Sequence, residues 1–529
     1  MLGCRAPAVI ISCGFQAALP VPVRLPPHQN GYLRVIMNKA AGIAVGVIVV
    51  AGVLVTAGAW YTGTKLEGAL NDSISNANQE LAKSFKGGET SVTLKLVSLD
   101  KHFFSSTAHY SVDIQNLADS TQNSQFLLVD QIEHGPIPLS RLKTLNLLPV
   151  MALSNFQLEK SPSSEKWFAM SKDVTPLKGQ ASIGYDRATK GWLQMAPLEM
   201  TDVDGTFKFS GLDLKTDLSA DAEKYSAVGS MDNLQLNVAS PDGPVNVEIK
   251  GMTFDTGGTK GKSGFYLGHT NIKAQGFNFQ VVGKPQVQIK DLTAVNLTQE
   301  DAGNLAAQVS YDAGMIAYGG KDVGAAHMGF KFANVDAAAS QALGQFYQDK
   351  ILPQQQAAAA QKQPFRLELS PADQELMNTQ LKKLFAAKPH VELEKLSLKT
   401  SNGESHVRIA VDLTDPGSLD QPANALVLKA LGEINAKVVL SKPMIRDLAT
   451  QQAIREGQTD LKVIAEQAKA ASDMASVMAE MMQLAKVDGD NIVSDLHYAN
   501  DMVDFNGQKM TVQQFMSNIL GRIGALGQQ

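Results

Sequence analysis

No cysteine follows residue 36: the chain's two, Cys4 and Cys13, both precede Met37. A disulfide framework, a thiolate zinc site and a cysteine nucleophile are therefore excluded from the main body. A long thiol-free body suits an oxidising compartment. Aromatic residues are sparse at 6%, and charged residues total 19%, too few for long acidic or basic tails. There is no basic excess either, since formal charge is −5, so nucleic acid finds no electrostatic footprint. His-Glu-x-x-His, Gly-x-Ser-x-Gly and a dinucleotide fingerprint are all missing. Two segments starting at Ser98 and Ser140 fit Ser-x-x-Lys but lack the companion motifs of the penicilloyl enzymes. Gly257 to Gly264 lacks phosphate-loop spacing and reads as a flexible hairpin loop. Nothing here argues for an enzyme, a cofactor or a metal.

One long hydrophobic run is present. Ala40 to Ala59 carries no charge and consists mostly of Ala, Val, Ile, Gly and Leu. At ~1.5 Å per residue it matches the ~30 Å hydrocarbon core of a bilayer. Lys39 precedes it, and Trp60 and Tyr61 follow, a basic flank and then an aromatic interface anchor. Residues 37–61 are therefore expected to be a transmembrane anchor, marked by Ala40, Val50, Ala59, Trp60 and Tyr61, with a cytoplasmic N-terminus and an exported body. A cleaved signal is the rival, because Ala57-Gly58-Ala59 resembles a cleavage site, but the run exceeds the usual apolar region of a signal. Gly42 and Gly46 form a GxxxG pair that would seat a second copy, a spacing that also arises by chance in such spans. Residues 1–36 hold five prolines and no acid, and read as a disordered extension or as sequence upstream of a true start at Met37.

The fold class expected is α+β: one N-terminal transmembrane helix, then a large antiparallel β-rich body with helices segregated mainly to the C-terminal third. Residues 62–88 carry Leu66, Leu70, Ile74, Ala77 and Leu81 at helical spacing, a juxtamembrane helix standing between bilayer and body. Residues 89–335 alternate with period two in runs such as Val92 to Leu96, Phe207 to Phe209, Leu234 to Val238, Val245 to Ile249, Phe277 to Val281 and Phe330 to Phe332. Gly, Asn, Asp and Pro punctuate them, the pattern of a meander with one apolar face that demands a cover. Residues 336–390 are expected to be helical, with Pro353 closing a first helix and Ser370-Pro371 opening another. Residues 391–529 read as α+β, with a hairpin turning at Asn402-Gly403, helices over 443–484 broken near Gly457, and strands at 492–498 and 502–505 before a closing helix. Met474, Met478, Met481 and Met482 line one helix face, more often a core stripe than a binding groove.

Five stretches are more specific: Gly58-Ala59-Trp60-Tyr61-Thr62-Gly63, Glu133-His134-Gly135-Pro136-Ile137-Pro138-Leu139, Leu145-Asn146-Leu147-Leu148-Pro149, Tyr498-Ala499-Asn500 and Asn506-Gly507-Gln508-Lys509-Met510. Together they closely resemble the YdgA family of bacterial inner-membrane proteins, a domain of unknown function. The resemblance implies a single-pass inner-membrane anchor and a periplasmic body, and it brings no catalytic residues. His134, Gly135, Pro136, Pro138, Asn506 and Gly507 are thus motif positions of unknown role. A lone histidine between Glu133 and a rigid Gly-Pro-Ile-Pro segment favours a structural bend docking a helix over 141–147, against a site shared with His102 and His109. The functional expectation is a non-enzymatic envelope protein binding or carrying lipid or another amphipathic ligand. In pattern the strand cadence is similar to the AsmA and TamB class of lipid conduits. The alternatives are a protein-interaction scaffold for envelope assembly or motility, and a hydrolase with an unrecognised site. An alkaline phosphatase fused to the C-terminus is expected to be active; an inactive fusion beside a fluorescent cytosolic reporter at the same position would refute export.

Overall fold

The computed structural model describes residues 66–526 apart from 85–89, 117–122, 144, 203–204, 241–242, 362, 420 and 422. The expected anchor, with Gly42 and Gly46, lies outside the described residues. Among those described, no helix is long and apolar enough to cross a membrane.

The first helix, α1 (Leu66–Ser84), carries Leu66, Leu70, Ile74, Ala77 and Leu81 as one buried stripe. It does not stand apart as a spacer. The stripe packs into the core with Val92, Leu94, Tyr110, Leu128 and Phe156 from the neighbouring strands, because a helix with one apolar face must bury it. Asn78 fixes its register: its amide donates to the Leu94 carbonyl at 2.8 Å and accepts from the Leu94 N–H at 2.8 Å. Leu94 sits on β1 (Thr90–Lys101), which pairs with β2 (Ser105–Asn116). The amide thus completes hydrogen bonds that a further strand would otherwise make.

From β1 and β2 the chain builds one continuous antiparallel sheet. Next come β3 (Ser124–His134), β4 (Ala152–Leu158), β5 (Leu177–Ile183), β6 (Thr189–Met195), β7 (Leu198–Asp202), β8 (Gly205–Phe209) and β9 (Leu212–Leu218). Six long strands follow: β10 (Lys224–Val238), β11 (Val245–Lys260), β12 (Tyr266–Val281), β13 (Val287–Asp301), β14 (Asn304–Tyr318) and β15 (Lys321–Asp336). Each has 15 or 16 residues, about 50 Å of extended chain. The sequence shows only the cores of these strands. Half of the expected loop at Gly257 is also strand, because β11 continues to Lys260 and the turn is 261–265. The sheet goes on through β16 (His390–Lys399), β17 (Glu404–Leu413), β18 (Leu431–Ser441), β19 (Lys486–Asp488), β20 (Asn491–Ala499), β21 (Met502–Phe505) and β22 (Gln508–Thr511).

Strand register aligns one row through seventeen strands of the sheet, from β1 to β20. Leu99, Ala108, Asp130, Phe156, Gly179, Leu193, Leu214, Gly229, Phe254, Ile272, Ala294, Tyr311, Met328, Leu396, Val407, Val438 and Ser494 stand side by side. A crease crosses the long strands. Pairing is interrupted in line at Asp232, Gly251, Gln275, Asp291 and Gly314, with Gly251 (φ 59°) and Asp291 (φ 52°) in the left-handed region. One residue inserted at the same place in each strand inverts the alternation there. The apolar positions 245, 247 and 249 accordingly give way to 252 and 254, and 287 and 289 to 292 and 294. The insertion keeps the apolar residues on one face.

Helices gather near the C-terminal side. The helix α2 (Leu139–Lys143) is shorter than the expected 141–147 segment, and α3 (Glu165–Met170) adds Phe168 to the first core. Asp336 caps α4 (Ala337–Phe346), which runs through a π turn at Tyr347–Ile351 into α5 (Leu352–Ala360). Pro353 does not close that helix; it lies directly after the π turn, where the regular hydrogen-bond ladder is already interrupted. Ser370 caps α6 (Pro371–Ala386) as expected. Then come α7 (Ala423–Ala430), α8 (Lys442–Arg455), α9 (Leu461–Met481) and α10 (Val512–Leu526). The 402–403 hairpin exists, but its loop is the four residues 400–403, held by Asp447 of α8 rather than by a two-residue turn.

Asn78→Ala strands the buried Leu94 donor and acceptor, so it is expected to cost about 1–3 kcal/mol in denaturant unfolding followed by circular dichroism. An unchanged midpoint would show that α1 is held by its apolar stripe alone.

Candidate functional site

The sheet has a polar face and an apolar face, and they are treated differently. On the polar face, side chains bond one another along rows. Gln235 donates to Glu248 (2.8 Å), Asn278 to the other Glu248 oxygen (2.7 Å), and Gln288 to Asn278 (3.0 Å). Further along, His390 bridges Asp412 (2.7 Å) and Glu392 (3.3 Å), and Arg408 closes on Glu392 at 2.6 Å. Burial lowers the His390 pKa, but the two carboxylates outweigh it and raise it overall. This group ties β16 and β17 together. Among the described residues, no cluster of His, Cys, Asp or Glu can hold a metal.

The apolar face is closed at one end and open in the middle. At the closed end α1 and α3 bury it. At the far end, α10 lays Phe515 and Ile519 on Tyr498, Val503 and Phe505, with the Phe505 and Phe515 rings 5.4 Å apart. Between them, from Val245 to Phe332, none of the apolar side chains on that face is fully buried; Phe254, Ile272, Phe277, Phe279, Ile289, Tyr311 and Phe330 are half-buried. The open face runs by register into a groove of about 360 Å³ below the C-terminal end of α9. Val438, Leu440, Met478, Met482, Leu484, Ile492 and Phe505 line it. The methionine stripe is therefore not core, as its pattern suggested. Met474, Met478 and Met481 are exposed, Met481 by 79%, because α9 packs on α8 through Ile464, Ala468 and Ser472 toward its N-terminal half. Unbranched methionine makes such a surface adaptable in shape.

The motif positions resolve into turns. The Gly135-Pro136 peptide is cis, the Gly135 N–H donates to the Met151 carbonyl (2.8 Å), and the Val150 N–H donates to Pro136 (2.9 Å). A Cβ on Gly135 would fall 2.0 Å from the Val150 carbonyl oxygen, so only glycine fits. Pro138 is fully buried, and His134 bonds the Ser106 hydroxyl at 3.0 Å. His109 pairs with Glu159 instead, and the structure brings no three-histidine site together. Asn506 and Gly507 (φ 54° and 83°) form the two-residue turn between β21 and β22, which left-handed residues make compatible with strand twist. The Asn506 side chain also accepts from Asp495 N–H (2.8 Å) and donates to Leu484 (3.1 Å), fastening the groove's rim.

One residue escaped the sequence reading. Asp130 lies in phase with Phe126, Leu128 and Ile132, facing the closed core, and is 2% exposed. Burial pushes its pKa up to about 7, against hydrogen bonds from Ser154 (2.8 Å) and the Asn155 backbone. An acid at an apolar position of an alternating strand was the signal available. Tyr110, also buried, has its pKa raised well above the usual phenol value, first by burial and then by Asp130.

Comparison with known proteins places residues 37–513 in a match to the family described as "Bacterial protein of unknown function (DUF945)". The chain is 26% identical over 493 residues to "Protein YdgA" of Escherichia coli K12, covering 91% of this chain and 96% of that protein. It is 24% identical over 485 residues to "Uncharacterized protein YihF" of the same organism, covering 90% and 98%. An uncharacterized Haemophilus influenzae protein is 23% identical over 290 residues, 50% of this chain and 77% of that one. No solved structure matches.

Because the Asp130 pKa is raised on folding, the stability it contributes is complete below about pH 4 and is lost as pH rises through about 7. At ~1.4 kcal/mol per pH unit the loss reaches about 4 kcal/mol. The wild-type melting temperature is expected to fall between pH 5 and pH 8, whereas that of Asp130→Asn stays level; parallel profiles would rule the coupling out.

Proposed function

The chain belongs to the DUF945 family of bacterial proteins of unknown function, and from that premise we propose that it is a single-pass inner-membrane protein whose periplasmic body holds an amphipathic ligand, with phospholipid the favoured class. The observation that carries this reading is the half-buried apolar face between Val245 and Phe332, which no helix seals as α1 seals the first strands. An apolar surface left partly exposed across β11 to β15 supports an interaction site, because covering it releases free energy in proportion to the area taken from water. Its elongated form, about 50 Å along each strand, suits acyl chains lying on the sheet more than a compact solute in a pocket. The polar face opposite satisfies its own groups and stays wet, so the ligand is confined to one side. The groove under α9 prolongs the same surface and offers methionines that adapt to irregular chains. The aliphatic run from Ala40 to Ala59 supports the anchor and the basic residue before it supports the export of the body.

A protein-interaction scaffold is the competing reading, favoured by the exposed Met474, Met478 and Met481 on α9. One experiment separates the two. A photoreactive phenylalanine analogue replacing Phe277 on the apolar face is expected to capture phospholipid in intact cells, while the analogue replacing Asn278 on the polar face captures none. A protein adduct at position 277 in place of lipid selects the scaffold, and equal lipid capture at both positions ends the ligand reading.

A further inference from the structure

The strand end where α1 begins carries an apolar surface that the ligand-binding reading does not use. Phe103 and Phe104 form the tip of the β1–β2 hairpin, edge to face at 4.6 Å, and Phe103 is 86% exposed. The Phe104 carbonyl accepts from the His134 N–H (2.9 Å), which joins this tip to the loop between β3 and β4. That loop exposes Leu139, Leu142, Leu145 and Leu148, the last two by 82% and 73%.

These side chains do not point outward for want of structure. Arg141 donates to Asn146 Oδ1 (2.8 Å), to the Leu148 carbonyl (3.0 Å) and to Ser182 Oγ (3.2 Å). The Ser140 N–H donates to Glu133 (2.9 Å), and the Asn146 N–H donates to the Arg141 carbonyl (2.9 Å). The loop keeps its polar groups inward and turns its leucines out, the reverse of a loop built for water. Leu145 even adopts a left-handed backbone (φ 56°) in that arrangement.

The position of this surface names its occupant. Lys101, next to the hairpin's tip, reaches Glu67 in the first turn of α1 at 2.9 Å. Only residues 62–65 separate Leu66 from Tyr61, the end of the apolar run. Four residues span at most about 14 Å. The tip and loop are therefore tethered within reach of the interface where the anchor emerges. Lys143 adds positive charge beside the leucines, the sign that suits anionic headgroups.

We propose that the 103–104 tip and the 139–148 loop insert into the phospholipid leaflet from which the body emerges, seating the sheet with that strand end on the membrane. The proposal rests on the anchored reading of residues 37–61. It is independent of what the open sheet face holds.

The test uses the full chain with Cys4→Ser and Cys13→Ser, reconstituted in phosphatidylethanolamine/phosphatidylglycerol vesicles. Single Phe103→Cys, Leu145→Cys and Lys321→Cys variants carry an environment-sensitive nitrobenzoxadiazole label, Lys321 lying at the opposite end of the strands. Labels at 103 and 145 are expected to emit at shorter wavelength and to be quenched several-fold more by doxyl-labelled lipid than the label at 321. Water-like emission and equal quenching at all three positions overturn the docking. If the protein then resists carbonate extraction, the anchor stands and only the docking fails; if carbonate extracts it, both fall.

Discussion

The physical constraint on which the structure depends is the phase of side-chain alternation in a single long sheet. In an extended chain each residue added or removed moves every later side chain to the other face. Strands of 15 or 16 residues twist too far to stay flat, and the crease at Gly251 and Asp291 bends them where one residue is inserted. Without matching insertions at Asp232, Gln275 and Gly314 in the neighbouring strands, Phe254 and Ile272 would leave the face shared by Ile249 and Phe277. The continuity of the apolar surface, and with it every functional reading, follows from that aligned insertion.

The two ends of the sheet then take different solutions to the same problem. At the N-terminal end α1 lies on the sheet and buries five apolar residues, and Asn78 satisfies the Leu94 backbone. The resulting core is dry enough to push the Asp130 pKa up to about 7. At the C-terminal end α9 and α10 cover part of the face, and a groove remains between the end of α9 and the strands. The middle keeps a surface that helices elsewhere in the chain do not bury. The fold hides its apolar face at both ends and leaves it only half-buried between Val245 and Phe332, so packing is least complete in the middle.

The motif residues fall into this picture as turn makers. Gly135 has no room for a side chain against the Val150 carbonyl, and Asn506-Gly507 supplies two left-handed residues for a tight hairpin. They set strand ends, and each lies beside an apolar surface. At the first bend that surface is the leucine loop; at the second it is the rim of the methionine-lined groove.

Local pattern was enough to determine several elements. The stripe Leu66 to Leu81 specified α1, the Ser370-Pro371 cap specified the start of α6, and period-two alternation specified the central strands and their apolar face, because each signal is carried by neighbours in sequence. Burial could not be read this way. The spacing of Met474, Met478 and Met481 is the same on a core helix and on an exposed one, and only the packing of α9 on α8 decided which face met solvent. Likewise the length of the strands past their apolar cores, the four-residue loop held by Asp447 and the burial of Asp130 depend on partners tens of residues away. Sequence alternation made one face apolar; tertiary packing alone determined how much of that face the chain's own helices would cover.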